Sequence, residues 1–177
     1  MVKKLVLFLL YVLFFMMAFI YFSPKVNIYY FAEEQLQKKG IVLNDETLSD
    51  EGFTLEIKNA VLYVKTLETA KIQKIKLNLF LLYNSVEVEG LVLSDMASGF
   101  IPLHVKSLYL VYTVFNPLHV TGKCSGEFGE ADINIDLVKR TLQVLIKPSK
   151  KMLTHYRTTL RNLKKDKNGG FIYEQSL

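Results

Sequence analysis

Residues 5 to 22, LVLFLLYVLFFMMAFIYF, form an unbroken apolar run of 18 residues with no charge, Gly or Pro. As a helix this run is roughly 27 Å long at 1.5 Å per residue, close to the roughly 30 Å hydrocarbon thickness of a bilayer. It can therefore cross a membrane once. A cleavable signal peptide is the competing reading, because Lys3 and Lys4 resemble a basic n-region. Such peptides have a shorter apolar core and end in small residues. Here Tyr21, Phe22, Ser23 and Pro24 follow, and the two aromatics suit an interfacial belt, so an uncleaved signal anchor is expected over residues 1–24. Lys3 and Lys4 would keep the N-terminus cytoplasmic and place everything after Lys25 across the membrane, with Lys25 itself partly opposing that bias.

The formal charge of +5 divides unevenly. Residues 26–146 hold 11 basic and 15 acidic side chains, whereas residues 147–177 hold 8 basic and 2 acidic. A chain with an acidic body and cationic ends is a poor nucleic-acid binder, so no nucleic-acid partner is expected. The single Cys124 permits no intrachain disulfide, and its surroundings TGKCSGEFG offer no His at ligand spacing. It reads as a half-buried or loop thiol.

Beyond the anchor, KVNIYYFAEEQLQKKG at 25–40 reads as a short juxtamembrane helix. Glu33 and Glu34 precede Lys38 and Lys39, allowing i,i+4 pairs, and Gly40 is placed to end it. Tyr29, Tyr30 and Phe31 either lie at the interface or pack under the next domain, the latter being preferred. From 41 to 147 the apolar period becomes two. Ile75, Leu77, Leu79 and Leu81 alternate with Lys76 and Asn78; Val86 and Val88 with Glu87; Ala131, Ile133, Ile135 and Leu137 with Asp132, Asn134 and Asp136. The stretches 53–64 and 107–115 are more apolar throughout, which predicts strands covered on both faces. Turn signals at Asn44-Asp45, 50–52, Asn84-Ser85, Ser98-Gly99, Asn116-Pro117 and 122–129 separate about eight strands. The expected fold is mostly β: one transmembrane helix, then an antiparallel β-sandwich or jelly-roll-like curled sheet.

At Pro148 the period returns to 3.6. Met152, Tyr156, Leu160 and Leu163, with Leu153, share one face, while Lys150, Arg157, Arg161, Lys164 and Lys165 occupy much of the rest. This predicts one basic amphipathic helix over 148–167, ended by Asn168-Gly169-Gly170, with FIYEQSL free to return as a last strand. The apolar side would cap the sheet. The basic side would then face water, which is the preferred reading, and the sharper one is that it meets anionic lipid head groups or an acidic protein surface; both can hold at once.

Catalytic signatures are missing. His104, His119 and His155 lie in different elements without metal-ligand spacing. Asp132, Asn134 and Asp136 copy the opening of an EF-hand loop, but Leu137 replaces the required Gly and Gln143 the bidentate Glu. No G-x-S-x-G occurs, and Gly122, Gly126 and Gly129 fit neither a P-loop nor a dinucleotide fingerprint. No enzyme activity, catalytic residue, metal or cofactor is expected. The membrane and partner contacts are expected at Lys3, Lys4, Tyr21, Phe22, Lys150, Arg157, Arg161, Lys164 and Lys165.

The order of features resembles the opening of AsmA-like envelope proteins and of the type II secretion system protein N family. The positions that carry it are Leu55, Ile57, Asn59 and Val61; Ala70, Ile72, Ile75, Leu77, Leu79 and Leu82; and Val86, Val88, Gly90 and Leu91. The later GKCSGEFGEADINIDLVKRTLQVLIKPS is similar to that secretion family's closing strands. The resemblance implies an inner-membrane protein with a periplasmic β domain serving envelope assembly or secretion, and no catalytic residues. A second resemblance, to lipopolysaccharide-export component C proteins, implies a β groove that passes lipid. A conduit would keep an open apolar face; a scaffold would fill it.

Overall fold

A computed structural model describes residues 2–80, 82–166 and 169–176. Leu81, expected on the apolar side of a strand, and Lys167 and Asn168, expected at the end of the basic helix, lie outside the described residues. Helix α1 (Val2–Phe22) is followed after Pro24 by α2 (Lys25–Lys38). The strands are β1 (Ile41–Asn44), β2 (Thr47–Asp50), β3 (Thr54–Val64), β4 (Leu67–Leu79), β5 (Tyr83–Leu93), β6 (His104–Thr113), β7 (His119–Gly126), β8 (Gly129–Asp136) and β9 (Thr141–Pro148). Two short helices, α3 (Lys150–His155) and α4 (Arg157–Arg161), precede β10 (Lys164–Lys165) and β11 (Phe171–Ser176).

All eleven strands belong to one antiparallel sheet, in the order β1-β3-β4-β5-β6-β7-β8-β9-β11-β10, with β2 sharing the outer edge of β3. From β3 to β9 every strand pairs with the next one in the chain. No connection leaves to begin a second sheet, so the second layer of the expected sandwich is instead supplied by helices. The additional strands are the short ones, β1, β2 and β10, whose few residues give no alternation to read. The tail returns as β11 against β9, as anticipated.

Cross-strand register sorts the side chains into two faces. One row runs Leu55, Leu77, Val86, Leu110, Gly122, Ile133 and Val144; the next runs Ile57, Ile75, Val88, Leu108, Cys124, Ala131, Ile146 and Phe171. The opposite face carries Glu56, Lys76 and Glu87 in one row and Lys58, Lys74, Glu89, Ser107, Ser125, Glu130 and Lys147 in another. The apolar face is covered in two places. Tyr29 and Val26 of α2 pack with Leu55, Ile57, Ala60, Ile72, Ile75 and Val88. Met152 and Leu160 of α3 and α4 pack with Phe128, Ala131, Val105 and Ile146.

The apolar look of 53–64 has a cause other than double coverage. Inward positions run Leu55, Ile57, then Ala60 and Leu62, so the alternation skips a residue at Asn59, whose φ is +56°. The same skip recurs opposite it: Ile75 to Ile72 on β4, Val88 to Leu91 on β5 with Gly90 at φ +63°, and Leu108 to Val105 on β6. Four aligned skips make a crease across β3–β6, and a period-two reading of any one strand loses phase there.

The charged face is knitted by Glu56, which is almost fully covered. Lys58 Nζ lies 2.9 Å from its Oε2, and Lys74 holds the other oxygen. Hydrogen bonds from Lys74 and then Lys58 draw its carboxyl from 4.5 down to about 2. A depressed carboxyl contributes stability that is complete above its unfolded value and is lost as pH falls through the folded one. We therefore expect thermal stability, followed by far-ultraviolet circular dichroism, to decline from about pH 4.5 towards pH 2. Glu56→Gln should flatten that acid limb; an unchanged limb would remove Glu56 as its source.

Candidate functional site at the junction of helix and sheet

Helix α1 is the one element, among the described residues, long and apolar enough to cross a membrane, and 6% of its most apolar window is buried. Pro24 cannot continue the helix hydrogen-bond ladder, so the last carbonyls of α1 lack their full set of helical N–H partners, Ile20 O keeping a long bond from Ser23 N (3.3 Å). Lys25 folds back to serve them. Its ammonium donates to the carbonyl oxygens of Ile20 (3.1 Å), Tyr21 (3.4 Å) and Ser23 (3.2 Å), and lies 3.7 Å from Asp50 Oδ1 at the end of β2. The side chain is fully buried. Lys25 thus ends as a helix cap matched to the negative pole of α1, and its charge is met within the protein. Lys3 and Lys4 are both exposed at the other end of α1.

Aromatic contacts continue the joint. The Tyr21 ring meets Phe53 edge-on at 5.3 Å and Phe22 at 5.2 Å, and Phe53 stacks on Phe80 at 5.7 Å. The Tyr21 ring lies directly on Gly52, where an added Cβ would be 2.6 Å from Cδ2. Tyr21 and Phe22 were expected at a membrane interface. Phe22 is exposed, while Tyr21 divides its surface between solvent and the β2–β3 turn. The three aromatics of α2 also divide: Tyr29 is buried and donates to Glu46 (3.1 Å), whereas Tyr30 and Phe31 are exposed.

The basic segment departs from a single helix. It breaks at Tyr156 (φ −118°, ψ 32°), and Lys164 and Lys165 stand in strand β10. On one unbroken helix Met152 and Leu160 would point roughly 80° apart at 100° per residue. The break lets both enter the second cluster, where they are buried, with Tyr156 and Leu163 beside them. Leu153 is left exposed. Ser149 caps α3 by accepting from Met152 N (3.2 Å), and Arg157 Nε donates to the Leu153 carbonyl (3.0 Å). Lys150, Arg157, Arg161, Lys164 and Lys165 are all exposed. They follow the end of β9 that pairs with Gly129, the sheet end opposite α1.

Other candidate groups are dispersed. His104 Nδ1 lies 3.7 Å from Glu127 Oε1, His119 begins β7, and His155 contacts the Thr154 hydroxyl at 2.8 Å. Among the described residues no three His, Cys, Asp or Glu side chains gather as a metal site. Asp132 pairs with Lys147 (2.8 Å), and Asp136 accepts from the backbone N–H of Val138 and Lys139. Cys124 is half-buried in the second cluster, and burial pushes its thiol up to about 11. A groove of about 990 Å³ lies along the crease and is lined by Gln73, Glu89, His104, Lys106, Ser125 and Glu130 among others. Leu91, Val92 and Val105 share its lining with these polar groups. Sequence reasoning missed the crease and the Lys25 joint; Pro24 followed by a lone Lys was the available signal for the latter.

No protein-family model, curated protein or solved structure matches this chain.

Proposed function

We propose that the protein is a non-enzymatic, single-pass scaffold of a cell envelope, held in the inner membrane by α1 with its β domain on the periplasmic side. The observation that carries this reading over a lipid conduit is the distribution of open space. The groove along the crease takes Glu89, Ser107, Ser125 and Glu130 of the charged face into its lining, while α2 and the α3–α4 pair close over parts of the apolar face. The resemblances to AsmA-like and type II secretion protein N families agree with such a role. The basic side chains of 150–165 stand at the sheet end away from α1, which favours an acidic protein surface over the anchoring bilayer as their contact. Purification from crosslinked membranes is expected to recover envelope or secretion proteins. Replacing Lys150, Arg157, Arg161 and Lys164 with Gln should lower that recovery severalfold without changing thermal stability. Recovery of lipid alone would favour the conduit.

A further inference from the structure

In an antiparallel path, alternate turns fall at the same end of the sheet. The turns at 51–53, between β4 and β5, at 114–118 and at 137–140 all stand at the α1 end. The last three carry open apolar side chains, with Leu82 55% exposed, Phe115 84%, Leu118 52% and Val138 67%, while the first exposes Glu51 beside the partly covered Phe53. They form one continuous row. Tyr21 touches Phe53, Phe53 stacks on Phe80, Val114 N donates to the Leu82 carbonyl (3.2 Å), and Leu137 N donates to the Leu118 carbonyl (2.9 Å). At the opposite end the hairpin residue Phe128 is buried, and Lys65, Thr66 and Glu127 form much of the rim, with Leu67, Met96, Phe100 and Leu153 among the large apolar side chains exposed there.

We propose that this row of turns rests in the interfacial layer of the bilayer that α1 crosses, so that the sheet stands on the membrane on its turn tips. The inference builds on the membrane reading of α1. Scattered apolar side chains on a surface need no explanation, but a row aligned with the end of a membrane helix does. The occupant follows from continuity. The row begins at Tyr21, in the last turn of the span, and the buried Lys25 joint keeps the sheet end beside it. Phe115 and Val138 add apolar surface to the acyl boundary, while exposed Lys139 and Arg140 in the last turn suit lipid phosphates.

The test uses the full chain in vesicles of phosphatidylethanolamine and phosphatidylglycerol. Single cysteines replace Leu10, Leu82, Phe115, Val138, Leu67 or Met96 in a Cys124→Ala background and carry a fluorophore. Labels at 82, 115 and 138 should be quenched severalfold more by a nitroxide near the head-group end of the acyl chain than labels at 67 and 96, and should resist aqueous iodide. Photolabelling of the unsubstituted protein by a lipid-borne diazirine should mark the same turns, which keeps the test independent of the variants' folding. Quenching at 10 without quenching at 82, 115 and 138 would overturn the seat but leave the span. No quenching at 10 would overturn the span as well. Iodide protection at the turns without lipid quenching would mean that a protein covers the row, and would also overturn the proposal.

Discussion

Gly129→Ala will unfold the far half of the sheet at a temperature roughly 6–12 °C lower, a loss of about 3 kcal/mol. Gly129 has φ +118°, and Gly126 and Gly129 pair across the two-residue turn that joins β7 to β8. An added Cβ would overlap the Lys147 carbonyl oxygen and lie 2.7 Å from Ser149 N. Both are backbone atoms at the end of β9, so relief requires opening the β8–β9 ladder where Gly129 faces Pro148. That movement would also shift Phe128, which is buried with Met152 and Leu160. Gly99→Ala is the control, because nothing lies within 4 Å of its Cβ position. It should stay within about 0.5 kcal/mol of the parent. Thermal melts of the two variants in detergent, followed by circular dichroism, give the comparison, and equal melts would contradict the turn geometry.

Lys25→Ala will destabilise the protein by about 2–3 kcal/mol, more than Asp50→Asn. The two effects separate because the contacts are unequal. Lys25 is fully buried and donates to three carbonyl oxygens, whereas Asp50 is 3.7 Å away and about a third exposed. Removing the ammonium leaves the carbonyls at the end of α1 without their side-chain donor. Removing the Asp50 charge leaves those bonds intact. Asp50 Oδ1 also accepts from Gly52 N (3.0 Å), so Asn at this position can keep the turn. If the two variants lose the same stability, the ion pair rather than the helix cap holds the joint. A double-mutant cycle would measure the shared part.

The alternation of Ala131, Ile133 and Ile135 with Asp132 and Asn134 was legible because β8 is regular and one of its faces meets polar surroundings. The strands β3–β6 were less legible. Each skips phase at the crease, and that skip is set by the neighbouring strand as much as by its own residues, as Asn59 shows. The basic helix was misread for a similar reason. Its wheel is amphipathic, but the demand that Met152 and Leu160 reach one cluster breaks it at Tyr156. Tyr21 and Phe22 were legible as the end of an apolar span. Lys25 was read only as a topological charge, because its partners are carbonyls and an Asp in a strand that itself lacked a period. The row of turn tips was invisible until register placed alternate turns together.

The central claim is that α1 is a retained membrane span carrying the sheet. The most direct measurement is the intact mass of the protein extracted from membranes that resist alkaline carbonate. The account predicts the full 20.4 kDa chain in that fraction. A shorter species beginning near residue 24, released into the soluble fraction, would contradict it.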